Sequence, residues 1–242
     1  MKALSRLILS IVTAGGAAAA LSTQAGATLQ FSVGAGDESY TCVDNSPCDT
    51  NPATGIISIP EISFEGITGT DVTVTATGEV LSFTVGSLTN DTGGTLSANF
   101  AVSDTGFGSD PTRFKTVFTT TWRDALGSSI DVGWFDDPEN AQGANSPTDT
   151  PGSEFDSFDA AAISTESDTE SHSATGALDV SPPFSVTVGG SIVLVNGGTE
   201  SASESVSFAV PEASTWTMMI AGFAGLGLAG YRASRKRSAL AA

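Results

Sequence analysis

The chain has 242 residues, of which 27 are Asp or Glu and 9 are Lys or Arg, so its formal net charge is −18. Binding to phosphate backbones needs clustered cations, and this balance excludes nucleic acid as a partner. It suits an exported, soluble surface, divalent cations, or a hydrated polysaccharide gel bridged by such cations.

The first segment reads as a secretory signal peptide, residues 1–27. Lys2 and Arg6 precede an apolar stretch from Leu7 to Leu21, and Ala25-Gly26-Ala27 offers a small-residue cleavage site before Thr28. Residues 28–209 then form one domain-sized, strongly acidic piece whose cations are Arg113, Lys115 and Arg123. That length is enough for a single core.

Near its start stand two cysteines, Cys42 and Cys48. In an exported chain they predict one disulfide closing a small loop. Zinc would need two further N or S ligands, and His172 is the one histidine of the sequence. Calcium takes oxygen ligands, which makes Asp44, Asn45 and Asp49 beside the disulfide one candidate cluster. Asp136, Asp137, Glu139 and Asn140 make a second.

The body of the domain reads as all-β. The segments 55–59, 71–77, 80–85, 95–102, 113–122, 184–188, 191–195 and 203–209 are rich in Val, Ile, Thr, Phe and Ser. Several alternate strictly, as in Val72-Thr73-Val74-Thr75 and Phe184-Ser185-Val186-Thr187-Val188, the mark of half-buried antiparallel strands. Gly93-Gly94 reads as a turn, and Gly189-Gly190, between two alternating runs, as a two-residue hairpin turn. Such a pattern favours an antiparallel β-sandwich over an irregular barrel.

Residues 136–173 break the pattern. They are crowded with Ser, Thr, Asp and Glu and hold few apolar anchors beyond Phe155, Phe158 and Ile163, so they read as a long acidic loop, either disordered or facing a ligand. His172 falls inside it and reads as an exposed loop histidine with no nucleophile-elbow pattern around it. Trp122, Trp134 and Phe135 are candidates for stacking on sugar rings, or else core residues.

The chain ends in Val210-Pro211-Glu212-Ala213-Ser214-Thr215-Trp216, an apolar Gly/Ala-rich run to Tyr231, and the cations Arg232, Arg235, Lys236 and Arg237. As a helix the run from Trp216 to Tyr231 would span roughly 24 Å, somewhat short of a hydrocarbon core of about 30 Å, so it reads as a single marginal transmembrane helix. The basic cluster would hold the C-terminus, including residues 238–242, in the cytoplasm and leave the acidic domain outside.

Motif, Gly-rich run with Ala221-Gly222-Phe223-Ala224-Gly225-Leu226-Gly227, and basic stop together resemble the PEP-CTERM sorting signal over residues 210–237. The sequence departs from that pattern at Ala213, where the family has a second proline. The segments Cys42 to Pro52, Leu88 to Leu96 and Val102 to Phe107 are similar, more loosely, to ectodomains attached to such tags. The resemblance implies an exosortase as processing partner in a Gram-negative bacterium. It also implies transient anchoring in the inner membrane and delivery to the cell surface or the exopolysaccharide matrix. The resulting expectation is a non-enzymatic surface or matrix protein without a required cofactor. A carbohydrate-binding module, calcium-assisted or not, and a secreted glycan hydrolase with a carboxylate pair are the alternatives.

Overall fold

A computed structural model of the protein describes residues 28–108 and 111–209, with Met219, Phe223 and Ala224. The expected signal peptide and sorting segment, with Val210, Pro211, Glu212, Arg232, Arg235, Lys236 and Arg237, lie outside the described residues. Among the described residues no helix is long and apolar enough to cross a membrane.

Twelve strands are described: β1 (Gln30–Ala35), β2 (Glu38–Val43), β3 (Ile56–Phe64), β4 (Ile67–Thr77), β5 (Val80–Asn90), β6 (Leu96–Phe107), β7 (Arg113–Arg123), β8 (Ser129–Asp137), β9 (Ser153–Ala161), β10 (Ser167–Ala177), β11 (Phe184–Leu194) and β12 (Thr199–Ala209). They form two six-stranded sheets. Sheet A runs β2-β1-β6-β11-β8-β9, sheet B runs β10-β7-β12-β5-β4-β3, and every pairing is antiparallel. The two sheets face each other as a sandwich. Alternation does the work: Val72 and Val74, Leu81 and Phe83, and Phe114 and Phe118 turn inward and are buried, while their neighbours face water. Each such aliphatic or aromatic side chain contributes about 1.5–3 kcal/mol on full burial.

Two expectations are corrected. Gly189-Gly190 is no turn: both residues sit in the middle of β11, paired with Ala101 and Phe100 on one side and Gly133 and Val132 on the other. Glycine is needed there for close approach, because a Cβ on Gly189 would stand 2.5 Å from Thr150 Cγ2 and one on Gly190 would overlap the Asp131 carbonyl. The long acidic loop is shorter than expected, since its second half forms β9 and β10. These are edge strands, and their polar composition hides them. All eleven residues of β10 pair with β7, whose alternating Phe, Thr and Trp make it an unambiguous strand. Hydroxyls of Thr119 and Ser171 (3.3 Å) and of Thr121 and Thr169 (3.1 Å) meet on the solvent face of that pair. Backbone pairing with such a neighbour overrides weak propensity.

The core is not wholly apolar. Alternation along β12 turns Glu200 and Glu204 inward together with Ala202, Val206 and Phe208, and both acids are buried. Glu200 accepts a hydrogen bond from Thr120 Oγ1 (2.8 Å), and Glu204 accepts one from Trp134 Nε1 of the opposite sheet (2.7 Å). Burial pushes the Glu200 carboxyl up to about 7 and that of Glu204 to about 8, against the smaller opposing pull of those hydrogen bonds. The folded state therefore holds protons that the unfolded chain releases near pH 4.5. The contribution of each acid is full below pH 4.5. It declines as pH rises toward about 7 for Glu200 and about 8 for Glu204, and is gone above. Urea unfolding should accordingly show lower stability at pH 8.5 than at pH 5, with a slope of about 1.4 kcal/mol per pH unit for each acid in its window. Glu204→Gln keeps an acceptor for Trp134 and should halve the slope between pH 5 and 7 and remove the further decline from 7 to 8; an unchanged profile would contradict this assignment.

Candidate functional site

The outer face of sheet A is built from small and polar side chains, and cross-strand pairing puts them in rows. Gly34, Asn99, Ser191, Asp131 and Asp159 form one row across β1, β6, β11, β8 and β9. Ser32, Ala101, Gly189, Gly133 and Ser157 form the next, and Gln30, Ser103, Thr187, Phe135 and Glu154 a third. A middle row without large side chains leaves a shallow floor.

The connection 138–152, the part of the expected loop that remains irregular, folds back over this floor as a strap. Gly143 donates its amide to Ser103 Oγ (3.2 Å), and Gln30 Nε2 donates to the Ala144 carbonyl (2.9 Å). Ser103 Oγ in turn receives Thr187 Oγ1 (2.9 Å) and donates to the Val186 carbonyl (3.2 Å), so the hydroxyls of Ser103 and Thr187 beneath the strap are both engaged. Ala144 takes a left-handed φ of 58° at the crossing, where Asn145 Nδ2 is held by the Gln142 carbonyl (2.7 Å) and Asp149 Oδ2 (2.7 Å). Gly143 permits the close approach: a Cβ would lie 2.8 Å from Pro151 Cδ, 3.0 Å from Ser103 Oγ and closer still to Thr187 Oγ1. Pro147 passes over Gly34 in the same way, 2.9 Å from where a Cβ would stand.

Strap and sheet together enclose a groove of two adjoining hollows. One, about 230 Å³, has Gly133, Gly189 and Gly190 as floor and Asp131, Phe135, Glu154, Ser191, Pro147 and Thr150 as walls. The other, about 250 Å³, lies along Gly34 to Ser39. Asn99, Pro147 and Thr148 belong to both. The half-buried ring of Phe135 lies over Gly133, 2.9 Å from the position a Cβ would take. Asp131 and Asp159 are cross-strand partners on this face. The neighbouring Asp159 carboxyl, then burial and the charges of Asp159 and Glu154, hold Asp131 above the usual carboxylate range. A groove of this kind offers one apolar ring edge, carboxyl donors and acceptors, and neutral hydroxyl and amide groups. That set matches a chain of hydroxyls better than an anion.

The sequence-derived candidates distribute as follows. Trp122 and Trp134 are fully buried, so neither forms a sugar platform; of the three aromatic candidates Phe135 alone borders a groove. His172 is not an exposed loop residue. It lies on β10 facing inward, its ring stacked against Trp134 (5.7 Å) and Phe158 (5.1 Å). Its Nε2 is 2.9 Å from Asp156 Oδ2, which also accepts from Thr116 Oγ1. This histidine ties β10 to β9 across the open side of the sandwich, a role hidden by a polar local sequence.

Cys42 and Cys48 form the expected disulfide, with Cα atoms 5.8 Å apart. Asp49 accepts the amides of Asn51 (2.8 Å), Ser58 (2.9 Å) and Asn45 (3.1 Å), so both its oxygens serve the loop itself. Asp137 likewise receives the amides of Glu139 (3.0 Å) and Ala141 (2.9 Å). Asp136 is half-buried on β8, Glu139 is exposed in the strap, and Asn140 accepts the Gly106 amide (2.7 Å). Among the described residues no three His, Cys, Asp or Glu side chains converge as a metal cluster.

No family model matches the chain, and no curated protein does. Among solved structures it is similar to TmCBM61 in complex with beta-1,4-galactotriose, at TM-score 0.34 and 11% identity over 59% of this chain and 87% of that one. A second is a carbohydrate-binding module of the β-sandwich superfamily, solved in work on promiscuous specificity, at TM-score 0.30 and 16% identity over 73% and 71%. A third is the enzymatically active domain of bacteriophage CBA120 tailspike protein 4, at TM-score 0.32 and 16% identity over 69% of this chain and 21% of that one.

Docking of the strap makes a direct prediction. Gly143→Ala should destabilise the fold by about 1–3 kcal/mol through overpacking and open the strap to limited proteolysis between residues 143 and 151. A parent-like melting temperature together with parent-like protease resistance would contradict the docking geometry.

Proposed function

We propose that this chain is an exported, non-enzymatic glycan-binding protein of the bacterial surface or exopolysaccharide matrix, delivered by its C-terminal sorting signal. The observation that carries the binding reading is the groove beneath the strap, where an aromatic ring, paired carboxyls and small polar groups line a glycine floor. A flat polar floor with one ring on its wall suits pyranose faces and hydroxyls. The acidic walls favour neutral or amino sugars and would admit a uronate chain only with a bridging divalent cation.

The sorting part rests on Val210-Pro211-Glu212, the apolar run and the basic stop in that order. An exosortase is the partner this order implies, with the inner membrane as a transient anchor.

Two measurements test the reading. In a glycan array with neutral, amino-sugar and uronate polysaccharides, the chain should bind the first two classes. Phe135→Ala and Asp131→Asn should each weaken that binding by tenfold or more with melting curves unchanged. Parent-like binding by both variants would remove the groove from the function. Mass spectrometry of surface protein from the native host, with and without its exosortase, should show loss of the Trp216 to Arg237 segment only when the enzyme is present; an intact tail in both strains would contradict sorting.

A further inference from the structure

At one end of the sandwich, away from the groove, two carboxylates each keep one buried oxygen without a hydrogen-bond partner. Asp44 follows β2 and donates its amide to the Leu29 carbonyl (2.9 Å). Ser103, the residue before Asp104 on β6, pairs with Gln30, the residue after Leu29. Asp44, Leu29 and Asp104 thus continue the sheet as one row, with the two acids on either side of Leu29. Asp104 is only 8% exposed, and its Oδ1 has no hydrogen-bond partner. Asp44 Oδ2 accepts the Gly55 amide (2.8 Å), while its Oδ1 is also buried and without a partner. Burial, against the smaller opposing pull of the Thr105 backbone amide and with the nearby charge of Asp44 added, pushes Asp104 up to about 6.

Asp104 lines a hollow of about 170 Å³ between the ends of the sheets, together with Thr54, Gly55, Ala76, Thr77 and Thr105. An orphaned oxygen on Asp104, which lines this hollow with three threonines, and a second on Asp44 across Leu29 are a costly arrangement unless something positive sits there. The ligands on offer are all oxygen. The cysteines are in a disulfide and His172 lies elsewhere, so the chemistry is that of a hard cation and not of zinc. Ligands on turns and strand ends, without a fixed octahedral frame, suit the adaptable coordination of calcium better than that of magnesium.

We infer that Asp44 and Asp104 hold a structural calcium ion at this end of the sandwich, completed by hydroxyl and carbonyl oxygens of the lining residues. The ion joins the disulfide loop after β2 to β6 of the same sheet. Through Gly55 and Ala76 it also joins the start of β3 and the end of β4 in the other sheet. It acts as a staple where the sandwich would otherwise carry two unpaired negative charges, and it is independent of the glycan reading.

The test uses the full chain freed of metal by chelation, with calcium chloride as probe. Calcium should raise the melting temperature by roughly 5–10 °C at a hundredfold excess over its dissociation constant, and magnesium should do so far less. Asp104→Asn should abolish the response, whereas Glu139→Gln, in the exposed strap, should leave it intact. Should Asp104→Asn fail to fold, Asp44→Asn serves instead, because the amide oxygen still accepts from Gly55; it should weaken calcium binding at least tenfold by titration calorimetry. No calcium response in the parent chain, an equal response to magnesium, or a parent-like response in the Asp variants would overturn the assignment.

Discussion

The hydrogen bond from Trp134 Nε1 to Glu204 Oε1 crosses the interior from sheet A to sheet B, and the placement of everything on β8 follows from it. Strand side chains alternate, so fixing Trp134 in the core fixes Gly133 and Phe135 on the opposite face. A slip of one residue would bury Phe135 and Gly133 and expose the indole, leaving a buried carboxyl with no donor. The tie is therefore a register lock, and the groove on the outer face inherits its precision.

An acidic protein has to put its acids somewhere, and besides the Asp44–Asp104 pair this fold uses them in three distinct ways. Glu200 and Glu204 sit in the core as raised-pKa groups that receive one donor each from Thr120 and Trp134. Asp49 and Asp137 act as local frames, their oxygens filled by backbone amides of the turns around them. Asp131, Asp159 and Glu154 gather on the outer face of sheet A, where the proximity of the other two raises Asp131 above the usual carboxylate range. Net charge alone does not distinguish these uses, because burial and hydrogen-bond supply differ at each position.

The strap and the floor beneath it are mutually dependent. Gly34, Gly143 and Gly189 leave room for crossing segments, and the hydroxyls of Ser103 and Thr187 replace the water that the strap excludes. A segment rich in Ser, Asp, Asn and Gly has too little apolar surface to order itself. It is ordered here because its polar backbone finds partners on a sheet face that is itself polar.

Much of the fold was legible in the sequence. Val72 to Thr75, Val80 to Val85, Arg113 to Trp122 and Phe184 to Val188 announce half-buried strands by their period, and Cys42 and Cys48 announce their bond by spacing. Gly189-Gly190, β9, β10 and His172 were misread for one shared reason. Local composition reports what a segment prefers alone, whereas these residues take their state from neighbours distant in sequence: Thr150 over Gly189, β7 beside β10, Trp134 and Phe158 against His172. The sequence by itself determined an acidic, disulfide-bearing antiparallel sandwich, because period-two burial and net charge are properties of the chain taken in order. Only the tertiary structure decided which acids are buried, which are framed by amides and which line a groove, because that depends on which strands become neighbours and how close their backbones come.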